Sequence, residues 1–406
     1  VQTQAQAIVE AVHKRGGEAV VEYTRRFDRL ELDAATLQSS HVQLDALAAL
    51  CPTEVREAID VAHTRIEAYH RAIRPSDGSF DAGKGVRLAW RWTAVDAVGV
   101  YVPGGRASYP SSALMNIVPA KVAGVSRIVM VAPAPDGKLN PAVAYAALRA
   151  GVQEFYPMGG AQAVAALAYG AGPLKPVDKI VGPGNAYVAA AKRIVFGKVG
   201  LDTIAGPSEI TVVADGSVSP DWVAADLLSQ AEHDPAAQSI LISDDPSFID
   251  AVLAEVERLV ATLSTASVAR ASLASHGAAV EVASLQADAA SLVDLIAPEH
   301  VQIMTRCDEA LVQKIRHAGA VFVGPYATEA LGDYVTGSNH VLPTYGAARF
   351  ASGLSTMDFM KRTSVQRVSA DGFRSIAGAA HTLAETEGLA AHALAVSLRQ
   401  RALSDL

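Results

Sequence analysis

From about residue 95 onward, short apolar runs alternate with alanine-rich helical stretches, and this alternation constrains the fold more than any other feature of the chain. Residues 98–102 read as a strand ending in Pro103-Gly104-Gly105, 127–132 as a second strand and 140–150 as a helix. A third strand, 152–158, runs into Gly159-Gly160 and a helix over 161–169; residues 179–181 lead through Gly182-Pro-Gly-Asn185 into a helix over 186–195. The pattern then repeats. Residues 209–214 and 239–243 read as strands, 221–233 and 248–263 as helices, and 278–283, 289–296, 301–304, 310–317 and the apolar strand 320–323 continue the series. Such alternation specifies parallel strands joined by right-handed helical crossovers. Two doubly wound α/β units are therefore expected, with ligands collecting beyond the carboxyl ends of their strands. Residues 1–75 carry helical periodicity instead, broken at Arg15-Gly-Gly17.

A chain of 406 residues exceeds one ordinary core, which agrees with two units. A formal net charge of -8 argues against nucleic acid or an anionic membrane as the main partner and leaves small molecules as the expected ligands. No apolar run approaches the roughly 18 residues of a membrane span. The start, Val1-Gln-Thr-Gln, has no signal-peptide character, and without Met it is expected to lack the natural N-terminus. Cys51 and Cys307 match no paired or nucleophilic motif, so a reducing cytoplasm is the expected location.

Five segments could carry chemistry. Gly182-Pro-Gly-Asn-Ala-Tyr187 places a glycine turn between a strand and a helix N-terminus, a generic anion site. Tyr187 stands where a dinucleotide fingerprint needs its third glycine, so a tight structural turn accounts for the segment equally well. Gln230-Ala-Glu-His233 puts a carboxamide and an imidazole on one helical face with Val223 and Leu227. Both polar groups are expected to point inward, either as a metal-binding pair or as a histidine facing the helix dipole. Ala297-Pro-Glu-His300 sets an acid beside an imidazole at a strand mouth, where they could divide proton transfer from water orientation, or form a capped turn. Gly332-Asp333 through Asn339-His340 is a polar loop after an apolar strand. Last, Glu387 is read as opening a helix that carries His392, by default a solvated face. Together these segments hold the inventory of a zinc site without thiolates.

In this order the segments resemble histidinol dehydrogenase. The resemblance runs through Gly99-Val-Tyr-Val-Pro-Gly-Gly105, Ser111-Ser-Ala-Leu-Met-Asn116, Gly159-Gly-Ala-Gln-Ala163 and Asp178-Lys-Ile-Val-Gly-Pro-Gly-Asn185. It continues in Ile204-Ala-Gly-Pro-Ser-Glu209, Ser229-Gln-Ala-Glu-His-Asp234, Ala297-Pro-Glu-His300, Gly332-Asp333, Gly337-Ser-Asn-His340 and Glu385-Thr-Glu-Gly-Leu-Ala-Ala-His392. The family usually carries a further N-terminal segment that this sequence lacks.

The resemblance implies two Rossmann-like doubly wound domains with a small helical C-terminal dimerisation extension. Residues 1–100 with 210–354 would form the domain carrying most zinc and catalytic residues, 101–209 the NAD-binding domain, and 355–406 the extension. It implies one Zn2+ per subunit on Gln230, His233, Asp333 and His392, with His392 supplied across a homodimer whose active sites are shared. Glu299 and His300 would be the catalytic pair. Ser208, His340 and Glu387 would join the zinc ligands and His300 around the substrate, and Tyr101, Gln162 and Asn185 would contact NAD+. The implied reaction oxidises L-histidinol to L-histidine through histidinal with two NAD+, the last steps of histidine biosynthesis. The expected division has His300 taking protons and Glu299 activating or positioning water. A paralogous zinc and NAD dehydrogenase for another small alcohol is the nearest rival, and a non-enzymatic regulator or structural homodimer keeping the fold is the rival of another class. NADH formation with L-histidinol discriminates among them.

Overall fold

The computed structural model describes every residue except Thr36, Ser40, 105–108, Ala205 and 405–406; Gly105 of the expected Pro103-Gly104-Gly105 turn thus lies outside the described residues. The chain divides into two compact units, Val1–Ile73 with Val95–Phe359, and Arg74–Ala94 with Met360–Leu406.

The larger unit contains the two expected parallel sheets. The first has the spatial order Glu154–Tyr156, Arg127–Val131, Ala97–Tyr101, Lys179–Val181, Gly200–Leu201. The second has the order Gly277–Glu281, Gln238–Ser243, Glu209–Ala214, His300–Met304, Ala320–Val323. All neighbours in both are parallel. In chain order each sheet reads third, second, first, fourth, fifth, the doubly wound arrangement that reverses direction beside its first strand. Strands Ala97–Tyr101, Glu209–Ala214 and His300–Met304 are buried throughout, because helices cover both faces; hence continuous apolar runs rather than alternation.

Helix Gln2–Arg15 presents Ala5, Ile8, Val9 and Val12 on one face. That face, with Ala19, Val20 and Leu37, joins the core of helices Gly160–Tyr169 and Ala186–Val195 and the first sheet. The N-terminal helices therefore pack with residues 97–201, whereas the resemblance grouped them with 210–354. The reason is steric: the alanine-rich surfaces of 160–169 and 186–195 accept a close helix. Helix Thr53–Ala72 packs likewise on Pro110–Ala123 and Pro141–Ala150.

Helix Ala266–His276 and strand Gly200–Leu201 were not expected, and the helix read over 221–233 ends at Ala231. The smaller unit also departs from the expected all-helical extension. Strands Gly78–Gly83, Val86–Ala94 and Met360–Val368 form an antiparallel sheet, followed by helices Ala370–Thr386 and Ala390–Ser404. Glu387 caps the end of the first of these helices instead of opening the second, because Gly388 turns the chain at φ 72°. No described helix is long and apolar enough to cross a membrane.

Candidate functional site

Ala297 closes helix Ala290–Ile296 in a left-handed conformation at φ 51°, and Pro298 prevents its continuation. The chain then enters strand His300–Met304, with His300 opposite Ile210 of the neighbouring strand. Glu299 and Glu209, each one residue ahead of that pair, exchange bonds. Glu209 N–H donates to Glu299 Oε2 at 3.0 Å and Glu299 N–H to Glu209 Oε2 at 3.3 Å. Glu209 Oε1 also accepts from Tyr345 N–H at 2.9 Å. The site thus lies at the amino ends of the second sheet, not beyond the carboxyl ends where the topology led us to expect it.

His300 Nδ1 lies 3.0 Å from both Glu209 O and Gln230 Oε1. Two acceptors fix the proton on Nδ1 and leave the lone pair on Nε2. Nε2 is buried and has no hydrogen-bond partner among the described residues, with Asp333 Oδ1 3.9 Å away. Burial pushes this imidazole down to about 4, against the pull of Asp333, so it is neutral at pH 7.

Gln230 sits in the last turn of helix Pro220–Ala231, buried with Val223 and Leu227 as its spacing required. His233 differs: it falls beyond the helix end, is exposed, and its Nδ1 is 2.8 Å from Ser229 O. The inward orientation expected of both holds for Gln230 alone, because Glu232 already caps the helix and the backbone leaves the helical path. Half-buried His340 turns its Nδ1 to Asp333 O at 3.1 Å, and burial lowers its basicity. A proton on His340 would oppose one on His300.

Two acids in the cluster were not singled out from the sequence. Glu209 accepts the amide bonds above. Glu329 is 1 % exposed; its Oε2 accepts from Ser229 Oγ at 3.3 Å, and its Oε1 is 3.8 Å from His300 Nδ1. A signal existed for Glu209, since two apolar runs each follow a Glu, whereas Glu329 is four residues before Asp333 and has the pattern of a solvated helix surface. Asp226 braces the group by accepting from Gln302 Nε2 at 2.7 Å and Thr328 Oγ1 at 2.7 Å. Burial, then repulsion from neighbouring acids, drives Glu299 and Glu329 well above the usual carboxyl range; burial also raises Glu209. Among the described residues the only ion-pairing partner of Glu299, Glu329 or Asp333 is His300, itself neutral. Buried acids without a cation are costly, so the cluster is suited to hold one. Ligand atoms of His300, Glu329 and Asp333 all lie within 4.8 Å of one another, a grouping that overlaps the expected zinc set only at Asp333. Ser208 adjoins Glu209, its carbonyl accepting from Gln238 N–H at 2.9 Å. Glu387 and His392 are exposed on the smaller unit.

The first sheet holds a cavity of about 560 Å³ at the carboxyl ends of its strands, lined by Tyr101, Gln162 and Asn185 and by Ile8, Tyr23 and Asp28 of the N-terminal helices. Its glycine turn is not an open anion cradle. Gly182, held at φ 108° with no room for a Cβ beside Tyr101 O, donates its N–H to Asp202 Oδ2 at 2.7 Å. Asp202 in turn pairs with buried Lys192 at 2.7 Å. Asn185 Oδ1 caps the following helix by accepting from Tyr187 and Val188 N–H, and Gly160 N–H donates to Tyr101 Oη at 3.0 Å. Gly182–Tyr187 forms a tight structural turn, and Asn185 and Tyr187 of the same segment line the cavity.

A family model described as histidinol dehydrogenase matches residues 1–400. A histidinol dehydrogenase of Caulobacter vibrioides is 57% identical over 392 residues, covering 97% of this chain and 91% of the relative. One of Bradyrhizobium diazoefficiens is 55% identical over 399 residues, covering 98% and 92%. The crystal structure of histidinol dehydrogenase from Elizabethkingia anophelis superposes with a TM-score of 0.96 at 35% identity, over 99% of this chain and 93% of that one. With a family model spanning nearly its whole length and relatives this similar, the chain belongs to the histidinol dehydrogenase family of oxidoreductases.

Proposed function

We propose that this chain oxidises L-histidinol to L-histidine through L-histidinal, delivering four electrons in two steps to two NAD+ at the end of histidine biosynthesis. The observation that carries the reading is His300, a neutral imidazole with Nδ1 held by two acceptors and a buried Nε2 that has no hydrogen-bond partner among the described residues. In the first step His300 Nε2 takes the hydroxyl proton as a hydride leaves the carbinol carbon, producing the aldehyde. Water then adds to the aldehyde, and Glu299, next to His300, orients it. Once His300 Nε2 has passed its first proton to solvent, it takes a proton from the resulting hydrate as a second hydride leaves. The carboxylic acid formed loses its remaining proton to solvent to give the carboxylate. Water is the chemically available nucleophile. Cys307 follows the carboxyl end of the strand that His300 begins, and Cys51 lies between helices His41–Ala48 and Thr53–Ala72. Both cysteines are unpaired, which suits a reducing cytoplasm.

We assign one Zn2+ per subunit to Gln230, His233, Asp333 and the partner subunit's His392. The donors fit. The His233 Nδ1 bond to Ser229 O leaves Nε2 for a metal, the Gln230 carbonyl keeps a second lone pair, and the buried acids call for a cation. Bound zinc supplies the Lewis-acid charge that fixes the imidazole and amine of the substrate. Ser208, His340 and the partner subunit's Glu387 complete the substrate pocket in this reading. The tight grouping of His300, Glu329 and Asp333 favours a second assignment in which His300 is itself a ligand. His300→Asn separates the two: retained zinc supports the first, lost zinc the second. A homodimer is supported by the exposed Ile376, Leu383, Leu394 and Leu398 on the last two helices and Leu389 between them. NAD+ we assign to the cavity of Tyr101, Gln162 and Asn185, whose buried Gln162 Oε1 has no partner among the described residues. The test is direct: purified protein given L-histidinol should form NADH, lose that activity to a chelator and regain it with zinc. No NADH, or activity indifferent to chelation, contradicts the proposal.

A further inference from the structure

The cavity of the first sheet is lined by two buried acceptor atoms without a hydrogen-bond partner among the described residues. Asp28 ends helix Gly17–Asp28 and is 8 % exposed; its Oδ2 has no partner among the described residues, although the Gly159 N–H bears on the same carboxyl. Gln162, 1 % exposed, leaves Oε1 equally unpaired. A buried acceptor without a donor costs about 1–3 kcal/mol, so the pair marks a place for ligand hydroxyl or amine groups. Four amides at the turns around the cavity are already engaged: Gly182 by Asp202, Tyr187 and Val188 by Asn185, Gly160 by Tyr101. Arg26 also lines the cavity, so it is the side formed by Asp28 and Gln162 that is built for hydrogen-bond donors.

We infer that Asp28 accepts from the ribose hydroxyls of the adenosine half of the dinucleotide and thereby selects NAD+ over NADP+. A vicinal diol offers two O–H donors to a carboxylate, whereas a 2′-phosphate sets like charge against it in a confined space. The inference rests on the assignment of NAD+ to this cavity. It adds a residue from an N-terminal helix that no motif singles out, since an Asp ending a helix usually faces water.

The test is calorimetric titration of the zinc-loaded enzyme with adenosine 5′-monophosphate and adenosine 2′,5′-bisphosphate, beside kcat and KM for NAD+ and NADP+. The wild type should bind the monophosphate about tenfold or more better than the bisphosphate. Asp28→Asn should erase that preference and raise KM for NAD+ with kcat little changed. Asp28→Ser, which removes both the charge and the longer acceptor, serves if the first variant does not fold. Equal binding of the two nucleotides by the wild type, or a preference unmoved in the variants, overturns the inference. Failure of the wild type to reduce NAD+ with L-histidinol would instead overturn the proposed reaction, with the nucleotide titrations still deciding the role of Asp28.

Discussion

The two parallel sheets share one strand order and are used at opposite ends. In the sheet of residues 97–201 the cavity opens at the carboxyl ends, beside Tyr101, where the order reverses. In the sheet of residues 209–323 the titratable cluster sits at the amino ends, on Glu209, Glu299 and His300. At the opposite end of that second sheet, carboxylates hold the loops that follow the strands. Asp215 accepts from Ser217 and Arg306 N–H, and Asp244 from Leu285 N–H. Topology thus offers each sheet a switch point, but a site forms where the chain delivers unsatisfied polar groups. In the second sheet these come from the C-terminus of helix Pro220–Ala231 and the return of helix Glu329–Tyr334 onto strand His300–Met304.

The largest test of this contrast is His300→Asn. It should lower kcat for both oxidations by roughly 10²–10⁴-fold, with adenosine nucleotide binding at the first sheet unchanged. Comparable losses of both chemistry and nucleotide affinity would mean that the two ends are not separable. Glu299→Gln sharpens the division within the cluster. Oxidation of L-histidinal should fall by about 10²-fold while the first NADH from L-histidinol forms near the wild-type rate, as stopped-flow turnover would record. Equal losses in both half-reactions would refute the assignment of Glu299 to water. Chelation comes next: with its counter-ion gone, the acid cluster should destabilise the protein by several degrees in Tm, restored by zinc, because a ligand bound only to the folded state stabilises it. An unchanged Tm would place the cation elsewhere.

The smallest effect is on stability against pH. The folded His300 refuses a proton that the unfolded chain binds below its ordinary value of 6.5. Stability from this group is therefore fully present above 6.5 and is lost as pH falls toward about 4. The difference in unfolding free energy between wild type and His300→Asn should change across that window by about 3 kcal/mol at most. The acids with raised values act in the opposite direction but are present in both proteins, so the comparison isolates the imidazole. A flat difference would mean that His300 is solvated.

Much of the architecture was legible because buried strands and amphipathic helices differ in period, as in 98–102 against 140–150. The antiparallel sheet of the smaller unit was not. Val86–Ala94 does alternate Val86, Leu88, Trp90, Trp92 and Ala94 with Arg87, Ala89, Arg91 and Thr93, but its partner Met360–Val368 is mostly exposed without an apolar face, and the two pair residues as distant as Val86 and Val368. In the site, Gln230 was legible from Val223 and Leu227 on its face. Glu329 was not, since a glutamate four residues before Asp333 looks like a solvated helix surface until the fold buries it against His300. The end of the sheet at which His300 would lie was also hidden, because a segment between a helix and a strand fits either reading until the register with Glu209–Ala214 is known.

The central claim is that His300 is a neutral base with its lone pair on Nε2, and nitrogen-15 NMR of histidine-labelled protein measures that directly. The account predicts a His300 signal of the Nδ1–H tautomer that stays neutral down to about pH 4 and is absent in His300→Asn. A signal titrating near 6.5, or a proton resident on Nε2, would contradict it.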